Sequence, residues 1–312
     1  MLKFVSESLF EIINILEKKL KLLDVKEIIE FEVLNPDIKS SLYAGTSINV
    51  NAHKYIYRGY KSWTDLAEIV LCKMLTPVIV SDELVCIRFE KLNVNDSFHE
   101  SKEIKEEKYG INSTFSHINK TEEPAFLMHY LKALKNVDIN KRIRVLNLGI
   151  NSGDEFEVIK KQASNFENLE LVGIDYCESA INRAKEKFKD ENITLMTHDI
   201  TDMESLNLDR FDLIISIGTL QSTSLDFKVI FMSLIQNYLK KDGAMILGFP
   251  NCRWIDGEMI YGAKVKNYSF PEMSLLYKDA HFCKKYLQQK KFRVTLTGKD
   301  YVFLTATSIR KE

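Results

Sequence analysis

Two glycines four residues apart follow an apolar run and precede a helical pattern in the segment VLNLGINSGDEF, residues 145–156. Gly149 has no Cβ, so its backbone can take positive φ and approach a bound molecule closely. A helix that begins near Gly153 would direct its first backbone N–H groups at the same molecule. The spacing predicts a ligand-binding loop, and it is as typical of a plain structural turn.

The elements around this loop favour the ligand-binding interpretation. Continuous apolar runs alternate with amphipathic helices, which indicates a parallel sheet buried on both faces. The runs are 145–148, 169–174, 193–197, 211–216 and 243–249. Asp175 follows the second run and Asp199 the third, and such sheets bind ligands at the carboxyl ends of their strands. A carboxylate about 20 residues beyond the loop, as Asp175 is, can reach ribose hydroxyls.

With these residues, the region 122–309 resembles the class I S-adenosylmethionine-dependent methyltransferases. The resemblance implies an α/β fold with a doubly wound, seven-stranded, mostly parallel sheet, and S-adenosyl-L-methionine as the cofactor. A helix at Leu275–Gln289 and strands at Phe292–Thr297 and Tyr301–Thr307 match the family's terminal hairpin, whose last strand inserts antiparallel into the sheet. Nicotinamide-binding folds lack this hairpin, so a nicotinamide enzyme is disfavoured.

The family places its cofactor contacts at the carboxyl ends of the strands. The loop after the first strand holds the methionine part, the acid that ends the second strand binds ribose, and the acid after the third strand contacts adenine. Carried onto this chain, the expected cofactor-binding residues are Asn147, Gly149, Asn151, Gly153, Asp175, Tyr176, Asp199, Ile200 and Ser216.

Two residues depart from the family pattern. Asn147 stands where the family usually has an acid, and Asn151 stands at the middle glycine of the loop. An asparagine cannot make the charged contact with the cofactor's amino group that an aspartate would make. Cofactor binding is therefore either weakened or altered. Asp154 and Glu155 either supply the missing charge or complement the helix dipole.

The segment 249–272 is predicted to form the acceptor pocket, because it follows the fifth strand and is too long for a simple connection. Candidate bases or orienting groups are Asp256, Glu258 and Tyr261. Candidate acceptor-binding residues are Arg253, Trp254 and Tyr268. The alternative role for each of them, which the sequence favours, is a hydrogen bond at the surface. The family's Asn-Pro-Pro-aromatic signature is replaced by SIGTLQS at 216–222, which disfavours an acceptor amino group held in that way.

Positive charge is concentrated near the carboxyl terminus. Residues 251–312 carry 12 basic and 6 acidic side chains, whereas the whole chain has a net charge of -1. Lysines interleaved with aromatic residues suit RNA, and they also suit a solvated helix face. The acidic middle of the chain argues against a broad phosphate-binding face, and no DNA partner is expected.

The 312 residues are predicted to form two domains. Residues 1–118 are expected to be a small α+β domain for acceptor recognition, with helices at Leu2–Leu23 and Trp63–Met74 and a chain break at Pro77. Residues 119–312 are expected to be the methyltransferase domain. A homodimer could form through the amino-terminal domain.

Cysteine spacing and hydropathy exclude several classes of protein. The five cysteines show no CxxC pairing, which argues against a disulfide framework and a zinc site, and no metal is expected. No apolar run is long enough to span a membrane or to form a signal peptide. The chain is therefore predicted to be a cytoplasmic enzyme.

The leading hypothesis is transfer of a methyl group from S-adenosylmethionine to an acceptor, with RNA slightly favoured over a small molecule. The alternative is a catalytically silent methyltransferase-like scaffold that binds a partner protein through residues 1–118. The asparagines at positions 147 and 151 motivate this alternative.

Overall fold

The computed structural model of the protein describes residues 2–97, 110–111, 113–222, 225–263 and 271–310. The chain divides into two compact units. The first comprises Met1–Glu100 and Trp254–Ile260, and the second comprises Ser101–Arg253 and Tyr261–Glu312. The expected domain boundary between residues 118 and 119 stays a prediction.

The first unit is built on a mixed four-stranded sheet, as expected of an α+β domain. Its elements are β1 (Leu2–Lys3), α1 (Leu9–Leu20), β2 (Ile28–Leu34), β3 (Ser47–Val50), β4 (His53–Ile56), α2 (Tyr60–Ile69), β5 (Cys72–Ile79) and β6 (Leu84–Lys91). The strand order is β1-β2-β6-β5, and β3 and β4 form a separate hairpin. Phe31, Phe89 and Trp63 fill the core, where the Phe31 and Phe89 rings meet edge to face at 5.2 Å.

Both helices predicted in this unit are shorter than expected. Helix α1 begins after Ser8, whose side chain and that of Glu11 form a capping box, and the chain before it forms β1. Helix α2 ends at Ile69 because Leu71 takes a left-handed backbone (φ 56°). Pro77 lies inside β5 rather than in a break. The sheet tolerates it because β5 is an edge strand with an irregular register between Leu75 and Val78.

The second unit confirms the predicted α/β fold. Its elements before the acceptor segment are α3 (Pro124–Asn136), β7 (Arg144–Leu148), α4 (Asp154–Gln162), β8 (Glu170–Asp175), α5 (Glu178–Lys187), β9 (Ile193–Thr197), β10 (Phe211–Ile217), α6 (Phe227–Ser233) and β11 (Leu239–Pro250). A hairpin of β12 (Cys252–Ile255) and β13 (Glu258–Tyr261) follows in the chain, and its residues Trp254–Ile260 belong to the first unit. The second unit continues with α7 (Ser274–Gln289), β14 (Phe292–Gly298) and β15 (Tyr301–Ser308).

The seven strands of the second unit have the order β14-β15-β11-β10-β7-β8-β9. Strand β15 runs antiparallel to both neighbours, and the other strand pairs are parallel, so the terminal hairpin is confirmed. Leu148 is level with Ile174 on one side and with Ser216 on the other. The carboxyl ends of β7, β8 and β10 therefore meet at one edge of the sheet.

The described part of segment 249–272 is more regular than the predicted loop. Between β12 and β13 stand Asp256 (φ 53°) and Gly257 (φ 81°), both left-handed. An Asp-Gly pair is a preferred sequence for a two-residue hairpin turn of this kind.

Cysteines within the described chain form no disulfide. None of its helices is long and apolar enough to cross a membrane.

Candidate functional site

The loop between β7 and α4 alternates left-handed residues along its backbone. Gly149, Asn151 and Gly153 have φ values of 72°, 48° and 87°. Asparagine is among the few residues that adopt this conformation readily, because its short polar side chain can hydrogen-bond locally. Asn151 does so, since its Oδ1 accepts the N–H of Ser152 at 2.8 Å. The departure at position 151 therefore changes the residue type and keeps a left-handed backbone.

Neighbouring side chains pack directly against both loop glycines. A Cβ on Gly149 would lie 1.8 Å from Oγ1 of Thr219, and one on Gly153 would lie 2.4 Å from the Phe188 ring. The Thr219 hydroxyl donates to the carbonyl of Leu148 at 3.2 Å, which fixes it over the loop. Glycine is thus required at both positions by space as well as by φ.

Asp175, at the end of β8, holds the loop from one side. Its carboxylate accepts the N–H of Asn151 at 2.8 Å and the N–H of Cys177 at 2.9 Å. Burial raises the pKa of Asp175, and the backbone donors, Tyr176 among them, offset part of that shift. A carboxylate has about four acceptor positions, so Asp175 retains capacity for ligand hydroxyls.

Two predicted cofactor residues carry buried polar atoms that have no hydrogen-bond partner in the described part of the chain. They are Nδ2 of Asn147, a residue 1% exposed, and Oγ of Ser216, a residue 2% exposed. Ser216 is level with Leu148, so Asn147 faces the opposite side of the sheet from Ser216. Buried polar atoms are usually paired, and an unpaired one calls for a ligand or another explanation.

The residues predicted to surround ribose and adenine lie next to these. Tyr176 follows Asp175 directly and is 47% exposed. Asp199 lies two residues beyond the end of β9, where its Oδ1 accepts the N–H and the hydroxyl of Thr201, each at 2.8 Å. Ile200 packs against the core on the α6 side of the sheet. Their contacts with a cofactor stay predictions.

A buried ion pair beside the loop was not predicted. Nζ of Lys120 lies 3.5 Å from Oε1 of Glu155, and the two side chains are 15% and 5% exposed. The ammonium also lies over the rings of Phe126 and Tyr301, at 5.7 and 5.9 Å. Burial alone would lower the pKa of Lys120, but attraction to Glu155 and other groups raises it. Burial raises the pKa of Glu155 against the attraction of Lys120.

The other acidic residues of the first turn of α4 are neutralised from α5. Lys187 lies 3.1 Å from Asp154 and 2.5 Å from Glu157. A cavity of about 230 Å³ opens between this end of α4, the loop and the chain segment that precedes Lys120. Polar and charged side chains line much of it, including those of Asn119, Asn151, Ser152 and Arg183.

Two of the candidate acceptor residues in the second unit already have contacts. Nη1 of Arg253 donates to the carbonyls of Tyr261 and Gly262, at 3.3 and 2.9 Å. The hydroxyl of Tyr261, a residue 45% exposed, donates to Sδ of Met273 at 2.7 Å. Tyr268 lies outside the described residues.

The remaining candidates belong to the first unit. Asp256 lies 2.7 Å from Nζ of Lys26 and accepts the N–H of Asn93 at 2.8 Å. Glu258 lies 2.6 Å from Nζ of Lys73. Trp254 is half-buried in the same unit. These contacts give both carboxylates a structural role, and their catalytic role stays a prediction.

Residues 139–297, just over half of the chain, match the model of a protein family described as a methyltransferase domain. No curated protein sequence matches the chain.

Among the described residues, no group of three or more His, Cys, Asp or Glu side chains could hold a metal ion.

Similar solved structures include an S-adenosylmethionine-dependent methyltransferase from Aquifex aeolicus, with 16% identity and a TM-score of 0.42. The comparison covers 62% of this chain and 98% of that one. A precorrin-6y C5,15-methyltransferase from Geobacter metallireducens has 12% identity and a TM-score of 0.40, covering 57% and 88%. A ribosomal protein L11 methylase from Lactobacillus delbrueckii has 13% identity and a TM-score of 0.38, covering 58% and 77%.

Proposed function

Because the chain belongs to the class I S-adenosylmethionine-dependent methyltransferases, we propose that it transfers the methyl group of S-adenosylmethionine to an acceptor molecule. The observation that carries this proposal is the loop 149–153, in which three left-handed residues lie beside the carboxylate of Asp175. The backbone there is shaped by packing and hydrogen bonds that leave no room for side chains at the two glycines.

The residues around this loop suit each part of the cofactor. Asp175 has acceptor capacity for ribose hydroxyls, Asn147 has an unused donor beneath the loop, and Ile200 presents an apolar surface for adenine. When bound, the cofactor supplies a methyl group on a positively charged sulfur, which a lone pair of the acceptor can attack. The loop and Asp175 would hold that methyl group in a fixed position.

Positioning is the main task that we assign to this chain. Transfer to an acceptor that is already a good nucleophile needs little acid or base assistance, so the rate depends mostly on orientation. Asp256 and Glu258 are held by lysines, and the Tyr261 hydroxyl by a methionine sulfur. We propose these three as orienting groups at most, with Arg253, Trp254 and Tyr268 as acceptor contacts.

The acceptor is proposed to be RNA or a small molecule, and the sheet register weakens the case for RNA. Phe292 is level with Ser308, and the adjoining Thr307 is level with Ala244 near the start of the parallel part of β11. The exposed Lys290, Lys291 and Arg293 therefore lie at the amino ends of the strands, opposite the cofactor loop. This basic group does not line the cofactor edge of the sheet.

Calorimetric titration with S-adenosylhomocysteine tests the proposed function. We expect saturable binding with a dissociation constant of about a millimolar or lower. Absence of binding would overturn the enzyme proposal and leave the scaffold alternative, in which residues 1–118 bind a partner. A parallel titration with NAD tests the alternative of a nicotinamide enzyme, and we expect no binding.

A gel shift with bulk tRNA at low and high salt tests the acceptor class. A shift that weakens steeply with salt supports RNA, because phosphate contacts release counterions. A Lys290→Gln, Lys291→Gln variant is the matched control. If it abolishes the shift, the RNA lies on the edge away from the cofactor loop and is not the acceptor. Absence of a shift at low salt would exclude RNA as the acceptor and leave a small molecule.

A further inference from the structure

Helix α4 begins with a buried ion pair that we expect to contribute little to the stability of the fold. The Lys120 and Glu155 side chains are almost removed from water, yet their charged atoms are 3.5 Å apart. Removing two charges from water is unfavourable, and a loose ion pair recovers only part of that free energy. Neutral side chains of similar size would often stabilise such a position as well or better. A loose pair of buried charges beside the loop 149–153 therefore points to a ligand that uses them.

The position of Lys120 supports this interpretation. Its positive charge is felt by Asp154 at the start of α4 and by Asp175 at the end of β8, as well as by Glu155. Asn119, the residue before Lys120, lines the same cavity as Asn151 and Ser152 of the loop. Despite its burial the pKa of Lys120 is raised, so the side chain stays charged at neutral pH.

The amino-acid end of the proposed cofactor carries an ammonium and a carboxylate on one carbon. We propose that Glu155 and Lys120 bind this end of S-adenosylmethionine, Glu155 receiving the ammonium and Lys120 the carboxylate. This inference rests on the proposed function. The pair supplies the negative charge that the neutral Asn147 lacks, and it adds a cation for the carboxylate.

The neighbouring charges are less suitable for this role. Asp154 and Glu157 are both within ion-pair distance of Lys187. Asp175 accepts backbone N–H groups and is assigned to the ribose. Arg183 is exposed on α5. Among the described residues it forms no ion pair with an acidic side chain, so it has no carboxylate beside it that could receive the ammonium of the cofactor. Lys120 and Glu155 provide both signs of charge together.

The test compares two ligands on one double variant, Lys120→Met with Glu155→Gln, so that neither buried charge is left alone. S-adenosylhomocysteine carries the amino-acid end, and 5′-methylthioadenosine carries the same nucleoside and sulfur without it. Calorimetry should show that the variant binds S-adenosylhomocysteine roughly tenfold to a hundredfold more weakly. Its affinity for 5′-methylthioadenosine should stay within about twofold of the wild type, which also shows that the site is folded.

A second ion pair on α4 provides the matched control. Nζ of Lys160 lies 2.6 Å from Asp190. The variant Lys160→Met with Asp190→Asn removes one charge of each sign, and it should bind both ligands like the wild type.

The outcomes separate this inference from the function on which it rests. If the Lys120 and Glu155 variant binds S-adenosylhomocysteine as tightly as the wild type, or loses both ligands in the same proportion, the inference is wrong and the function stands. If the wild-type protein binds neither ligand, the proposed function fails and the inference falls with it.

Discussion

The loop 149–153, to which we assign cofactor binding, and the hairpin turn at Asp256 share several structural features and differ in how their polar groups are satisfied. Each follows a strand, contains left-handed residues and has carboxylates nearby. In the hairpin, lysines lie within 2.7 Å of Asp256 and 2.6 Å of Glu258. At the loop, Asp175 accepts backbone N–H groups and the amide nitrogen of Asn147 has no partner among the described residues.

This difference is the reason why we propose ligand binding for the loop and a structural role for the turn. A carboxylate held by a lysine at 2.6 or 2.7 Å is already accounted for by the folded chain, unlike Glu155, whose partner Lys120 lies 3.5 Å away. Buried polar atoms without partners cost free energy in the free protein, and a ligand can recover that cost.

Alanine at the loop glycine should destabilise the protein far more than alanine at the turn glycine. A Cβ on Gly149 would overlap Thr219, whereas one on Gly257 would meet no atom within 4 Å. Both residues have positive φ, so the strain of that conformation, about 1 kcal/mol, is common to both. We expect Gly149→Ala to cost more than about 3 kcal/mol in urea unfolding and Gly257→Ala about 1 kcal/mol. Equal costs would mean that Thr219 does not fill the space over the loop.

Loss of the loop carboxylate should weaken cofactor binding, and loss of the turn carboxylate should not. We expect Asp175→Ala to reduce the affinity for S-adenosylhomocysteine by about 1 to 3 kcal/mol, because ribose hydroxyls lose their acceptor. Asp256→Ala is the control, since Lys26 and Asn93 already use that side chain. Calorimetry measures both. Unchanged affinity in Asp175→Ala would remove this residue from the site.

Neutralising the turn carboxylate should reveal a stability contribution that depends on pH. Burial would raise the pKa of Asp256, but hydrogen bonds from Asn93 and Lys26 lower it overall. A lowered pKa in the folded state stabilises the protein above the unfolded pKa, near 4, and the stability is lost as the pH falls through the folded value. Because Asn-Gly also suits the turn, Asp256→Asn changes mainly the charge.

We therefore expect Asp256→Asn to cost about 1 kcal/mol at pH 7, a modest value because Lys26 is half exposed to solvent. The difference from the wild type should shrink as the pH falls below about 4. Urea unfolding at a series of pH values measures it. A difference that stays constant with pH would assign the effect to the turn backbone instead of the ion pair.

The smallest effect is expected at the asparagine of the loop. Asn151→Gly keeps the left-handed backbone and loses the hydrogen bond to Ser152, so stability should change by less than about 0.5 kcal/mol. Asn151→Ala should cost about 1 kcal/mol because alanine adopts positive φ poorly. Urea unfolding distinguishes the two. A large loss with glycine would show that the side chain, and not the backbone, shapes the loop.

The sequence predicts the second unit closely because its strands are buried on both faces. Strands in such a sheet are continuous apolar runs, which stand out from the amphipathic helices between them. The first unit is less regular, and there local backbone features overrule the pattern. Leu71 ends α2 with a left-handed residue, and Pro77 is accommodated in an irregular edge strand. Neither feature can be deduced from hydropathy.

The loop and the acids at the strand ends of the candidate site could also be predicted, since their spacing is local. The ion pair of Lys120 and Glu155 could not, because Lys120 lies in a polar stretch of the sequence with no motif that relates it to Glu155. Only the folded backbone brings it to the start of α4. The turn at Asp256 and Gly257 could have been predicted, since Asp-Gly between short strands is a hairpin signal.

The interrupted first unit affects how this protein can be made and divided. Leu92, Ile255 and Ile260 form one buried cluster, and the N–H of Asn93 reaches Asp256 across 163 positions of the chain. During synthesis the first unit must wait for residues 254–260, which emerge from the ribosome after most of the second unit. A fragment that ends at residue 118 would lack them. Transfer of the first unit to another protein would therefore require both of its chain segments.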